Sequence, residues 1–148
     1  MSAVQLSEHE IQTQFFDQIR LFEGRFPILK LVFAIPNGSS KKITQNPKTG
    51  AWYSLEGQKM AREGLRSGVA DVFCAIPCWD DEEDFKRPGL FIEFKKKGGK
   101  QSPEQKEFQL LVEAQEYRYV TVYDAESAWN ELRAYLDPLD TLPTWEGQ

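Results

Sequence analysis

The run Leu90-Phe91-Ile92-Glu93-Phe94-Lys95 sets an acid and a base two residues apart within an apolar stretch. Side chains of an extended strand alternate between faces, so Glu93 and Lys95 share one face while Ile92 and Phe94 take the other. Asp71 opens a second apolar run just after Gly68, and a hairpin between the two runs brings its carboxylate towards Glu93. Two carboxylates and a lysine converging at strand ends suit a hard divalent cation with a water beside it. They suit equally a cross-strand salt bridge of Lys95 with Asp71 or Glu93, and spacing alone leaves both readings open.

Two helices aim further polar groups at the same region. Residues 7–22 read as a helix with Ser7 as N-cap and Glu10 completing an S-x-x-E capping box. Ile11, Phe15, Ile19 and Phe22 form its apolar stripe. At about 100° per residue, Glu8 falls at the centre of that stripe and Glu10 points away. A carboxylate facing the core needs a metal or a buried partner. Gln105 is similar: it shares a stripe with Phe108 and Val112, so its amide faces the sheet. Its other role is the third position of the capping box that Ser102-Pro103-Glu104-Gln105 announces.

The elements that must hold these groups follow from pattern and punctuation. Leu29–Ile35 reads as a buried strand ended by Pro36-Asn37-Gly38, and residues 36–52 as a long basic loop. A short helix over 54–65 leads to strands at 69–76 and 90–95, separated by the acidic run 80–84, which reads as a solvated hairpin tip. A helix to about Glu116, a strand over 117–123 and a last helix capped by Asp124 and reaching Leu136 complete the order. The expectation is an α/β fold with a mixed sheet, one domain over 1–137 and an irregular tail over 138–148. Trp52 and Tyr53 read as core aromatics, with base stacking as the alternative. His9, the sole histidine, reads as a surface or capping residue, and Cys74, on the face opposite Asp71, as a buried thiol.

Composition narrows the class. The chain has 148 residues, 41% of them hydrophobic and 28% charged, with ample aromatics for a core, which excludes a disordered protein. No apolar run approaches a membrane span, and the N-terminus lacks the pattern of a signal peptide. Cys74 and Cys78 make neither a disulfide framework nor, with one histidine, a zinc site; the expected setting is a reducing cytoplasm. The net charge of −5 conceals blocks: residues 24–70 hold eight basic residues against two acidic, and residues 95–106 five against one. A polyanion responds to such local fields rather than to the total. Lys41 and Lys42 beside Asn37, and Lys96, Lys97 and Lys100, could hold phosphate, as could Arg66 in the glycine-flanked turn before Asp71.

Asp71 followed by Glu93-Phe94-Lys95 resembles the PD-(D/E)xK nuclease signature. Four segments together resemble, in order, the virus-type replication-repair nuclease (VRR-NUC) domain in its stand-alone, phage-type form. They are Ser7-Glu8-His9; Ile35-Pro36-Asn37-Gly38; Gly64-Leu65-Arg66-Ser67-Gly68-Val69-Ala70-Asp71; and Phe91-Ile92-Glu93-Phe94-Lys95 with Gly98-Gly99-Lys100-Gln101-Ser102-Pro103-Glu104-Gln105. Ala70 departs from the family's usual proline and touches only the turn. The resemblance implies a restriction-endonuclease-like αβββαβ core and a Mg²⁺- or Mn²⁺-dependent deoxyribonuclease. It implies Asp71, Glu93 and the Phe94 carbonyl as metal ligands, with Glu8 completing the site directly or through water. Lys95 would orient or deprotonate the attacking water, and Gln105 would lie nearby. It further implies a homodimer acting on junctions, flaps or splayed ends of DNA, with 5′-phosphate and 3′-hydroxyl products. A nucleic-acid-binding module without turnover is the rival, against which the intact Asp71, Glu93 and Lys95 argue; a sequence-specific restriction-like nuclease would call for a recognition domain that is not visible.

Overall fold

Ser7 starts the first helix, α1 (Glu8–Phe22), by accepting the Glu10 N–H on its hydroxyl oxygen at 3.2 Å. The structure, a computed structural model, describes residues 4–36, 44–53 and 55–147. After α1 come a 3₁₀ helix (Pro27–Leu31) and strands β1 (Val32–Ala34), β2 (Thr44–Gln45) and β3 (Trp52–Tyr53). Helix α2 (Leu55–Arg62) precedes β4 (Val72–Cys74), β5 (Cys78–Asp80), β6 (Phe85–Arg87) and β7 (Leu90–Phe94). Helix α3 (Pro103–Ala114), β8 (Arg118–Val122) and α4 (Ala125–Leu136) follow.

The main sheet has the order β1-β4-β7-β8, antiparallel except for the parallel pair β7–β8, across which α3 connects. It is therefore mixed, and its order with α1 and α3 is αβββαβ, as the sequence leads one to expect. Leu90, Ile92 and Phe94 of β7 are buried on the face carrying α1 and α4, where Phe15 meets Phe94 at 5.6 Å and Phe22 stacks on Trp129 at 5.9 Å. The opposite face stacks Phe73 on Phe91 at 4.5 Å, and Phe108 of α3 covers Phe91 edge-on at 5.1 Å.

Three expectations need correction. Leu29–Ile35 is not one strand: Pro27 fixes the first turn of the 3₁₀ helix, Leu29 is buried from it, and only Val32–Ala34 joins the sheet. Residues 36–52 are not all loop either, since β2 and β3 pair through an Asn46 turn in which Asn46 Oδ1 accepts the Lys48 N–H at 2.8 Å. Trp52 stands 67% exposed there and is no part of the core. The acidic run does form the tip of the β5–β6 hairpin, with Asp80 accepting the Glu82 and Glu83 N–H groups and gripped by Arg87 at 2.7 Å. The arginine holds the Asp80 carboxyl below its usual range.

The segment after α4 has no regular structure and yet is bound tightly. Leu142 is fully buried, and the Trp129 indole N–H donates to the Pro143 carbonyl at 2.8 Å. Gln18, buried in α1, donates to the Thr144 carbonyl at 3.4 Å and accepts the Glu146 N–H at 3.3 Å. No helix among the described residues is long and apolar enough to cross a membrane.

Candidate active site

The register of β4 with β7 decides the first contact. Val72 pairs with Ile92, so the same register carried one residue further sets Asp71 opposite Glu93. The Phe94 N–H donates to Asp71 Oδ2 at 2.7 Å, which ties the loop before β4 to the end of β7. Glu93, only 2% exposed, accepts the Gln105 side-chain amide on Oε1 at 2.7 Å. Its other oxygen, Oε2, is buried and receives no N–H or hydroxyl donor among the described residues. Asp71 can share a proton with Glu93 when one of the two is protonated. Burial first, and then the Asp71 charge, push Glu93 up to about 8. Burial raises Asp71 as well, against the pull of the Phe94 N–H.

Lys95 stands beside this pair on the same strand face. Its Nζ lies 3.9 Å from Glu93 Oε1 and 3.7 Å from Glu8 Oε1, with only 12% of its side chain exposed. Glu8, the first residue of α1, thus reaches the site through Lys95, whereas Glu10 is exposed and receives a hydrogen bond from Ser7. Gln105 performs both of its possible tasks. Its Oε1 accepts the Ser102 N–H at 2.8 Å as the capping box requires, and that contact turns its Nε2 towards Glu93.

Helix α3 also braces the other carboxylate. Gly68 has φ +84° and lies so close to α3 that a Cβ would come within 2.5 Å of the Glu104 carbonyl oxygen. The glycine turn leading to Asp71 is therefore seated on the helix turn that carries Gln105. Sequence reasoning missed this role of Gly68, because it depends on a contact between distant segments. It missed Thr121 too, which the β7–β8 register pairs with Glu93, and the half-buried Gln101, whose amide donates to Gln109 and to the Tyr119 hydroxyl at 3.2 Å. Tyr119 is pushed up to about 12 by burial and then by the Glu93 charge.

The remaining candidates lie further out. Arg66, Lys96, Lys97 and Lys100 are exposed, as is His9, whose carbonyl accepts the Thr13 hydroxyl. Asn37, Lys41 and Lys42 fall outside the described residues. Cys74 is buried and its thiol pushed up to about 12 by that burial, an inert environment.

Among the described residues no three His, Cys, Asp or Glu side chains cluster as a metal cage. What is present is a carboxylate pair that burial makes reluctant to ionise. Hard oxygen ligands that need positive charge are the donor set a Mg²⁺- or Mn²⁺-sized ion accepts, with waters and backbone carbonyls completing its shell. The residues fit such an ion as a partial, open site.

The mixed four-stranded sheet runs in αβββαβ order, with these groups at the ends of its central strands. Among solved structures the chain is similar to a VRR_NUC domain protein, with a TM-score of 0.66 over 91% of this chain and 92% of that one. At 19% identity the likeness establishes the shared fold. No protein-family model matches the sequence, and no curated protein does.

Proposed function

We propose that the protein is a Mg²⁺- or Mn²⁺-dependent endonuclease that hydrolyses DNA phosphodiester bonds, selecting junctions, flaps or splayed ends over base sequence. The observation that carries this reading is the buried Asp71–Glu93 pair, which burial makes reluctant to ionise, set beside Lys95. Asp71, Glu93 and the Phe94 carbonyl would hold the ion, with Glu8 contributing directly or through water. When bound, the ion would supply Lewis acidity and a more acidic water.

The chain's own groups divide the remaining work. Gln105 occupies Glu93 Oε1 and so leaves Oε2 as the oxygen available for a ligand bond. Lys95, steadied by Glu8 at 3.7 Å, would as an ammonium orient the attacking water and meet the charge that builds on the phosphoryl oxygens, or as the neutral amine take the water's proton. Attack in line on phosphorus would leave 5′-phosphate and 3′-hydroxyl ends. Arg66, Lys96, Lys97 and Lys100, with Asn37, Lys41 and Lys42, would contact phosphates without reading bases. A two-fold homodimer would set two such sites on two strands.

The test is cleavage of labelled duplex, single-stranded, flapped and four-way DNA with and without Mg²⁺ or Mn²⁺. Metal-dependent cutting that prefers the branched substrates and is lost in Asp71→Ala supports the proposal. No cutting of any substrate, or equal activity in Asp71→Ala, refutes it.

A further inference from the structure

Trp52 was read from the sequence as a core aromatic, and the structure leaves it 67% exposed on the β2–β3 hairpin. The hairpin has only two residues a side, too few to be stable alone. Its turn is nonetheless well specified. Asn46 Oδ1 accepts the Lys48 and Thr49 N–H groups, Gly50 takes φ +73°, and the Gln45 amide donates to the Gly50 carbonyl at 3.2 Å. A large ring thus stands two-thirds exposed beside a turn built from several hydrogen bonds.

The chain runs from this hairpin almost directly into α2, whose surface is nearly all exposed. Lys59 and Arg62 lie three residues apart on one helix face and share a shallow depression with Leu55, Gln58 and Glu63. Residues 44–66 hold four basic side chains, Lys48, Lys59, Arg62 and Arg66, against two acidic ones. From α2 the backbone passes through the left-handed Gly64 and Gly68 to Asp71, so this arm is continuous with the turn that positions a site carboxylate.

We infer that the arm formed by β2, β3 and α2 captures an unpaired stretch of the DNA strand, with Trp52 stacking on a base and Lys48, Lys59 and Arg62 taking flanking phosphates. Stacking on an exposed ring is available only to a base released from its duplex, and it tolerates any base because each has a π face. Adjacent cations supply the sequence-independent attraction. The inference rests on the nuclease reading for its ligand and deepens it: selection of splayed or flapped DNA would reside in Trp52 rather than in the carboxylate site.

Fluorescence anisotropy in Ca²⁺ with a labelled blunt duplex, and with the same duplex bearing a single-stranded tail, tests the assignment. Wild-type protein should prefer the tailed duplex by about ten-fold, the weight of one stacked base. Trp52→Ala should abolish that preference and leave blunt-duplex affinity unchanged, and Trp52→Phe should restore most of it. Trp79→Ala, at the acidic hairpin where the ring is 45% exposed, should alter neither affinity. Lys59→Ala with Arg62→Ala should weaken tailed-duplex binding and reduce the salt slope by about two, whereas Trp52→Ala leaves the slope as it was. A tailed-duplex preference that survives Trp52→Ala, or falls equally in Trp79→Ala, overturns the inference while the nuclease reading stands. Failure of the wild type to bind either DNA overturns both.

Discussion

Replacing Glu93 with glutamine should stabilise the metal-free protein at alkaline pH, and the size of the effect follows from its burial. Glu93 is 2% exposed and raised from 4.5 to about 8 by burial and by Asp71. Between those two values the folded protein keeps a proton that the unfolded chain has released, so stability falls as pH rises through the window and the loss is complete above its upper end. Each pH unit costs about 1.4 kcal/mol per proton, so the full window approaches roughly 5 kcal/mol as a ceiling. Asp71, also raised, acts in the same direction. Glu93→Gln keeps an oxygen to accept the Gln105 amide and removes the charge, so its own profile should lose the part due to Glu93 and keep only the slope that buried Asp71 contributes. Urea unfolding in EDTA at pH 5 and pH 8, followed by the fluorescence of the buried Trp129, measures the difference. Mg²⁺ or Mn²⁺ at a hundred times its dissociation constant should then return about 2.7 kcal/mol to the wild type and nothing to the variant. Identical pH profiles for the two proteins would refute the buried-carboxylate account.

Glu8→Gln should lower metal-dependent cleavage substantially because it releases Lys95, while Glu10→Gln, exposed beside Ser7, should not; parallel rate measurements decide it. Lys95→Ala should lose cleavage yet retain metal binding by calorimetry, since the carboxylates remain. Gly68→Ala should cost about 1–3 kcal/mol from its positive φ alone, and more from the Glu104 carbonyl a Cβ would meet; a thermal melt reads the loss, and an unchanged midpoint would show that α3 does not brace this turn.

What was legible in the sequence was whatever a short period or cap could encode. Strand alternation set Glu93 and Lys95 on one face, and helical phase turned Glu8 inward and Glu10 outward, because both rules act within a few residues. Gln105 was read as either cap or site, and the structure gives it both tasks, since one amide has an oxygen for Ser102 and a nitrogen for Glu93. The 3₁₀ turn at Leu29 was misread because an apolar run does not distinguish a buried turn from a strand. Trp52 was misread because aromaticity predicts burial on average, while its hairpin has no sheet behind it. The seat of Gly68 on Glu104 lies beyond any local rule.

The hydrogen bonds of Gln18 to Thr144 and Glu146 span 126 and 128 residues of chain. The backbone groups that satisfy this buried side chain of α1 are therefore available only once synthesis has passed residue 146, however early the helix itself forms. Glu8 rides on that helix and Lys95 leans on Glu8, so the anchoring of α1 bears on the position of the lysine. On the proposed nuclease reading, the helix that carries Glu8 would be fully anchored only after that stretch of chain has been made.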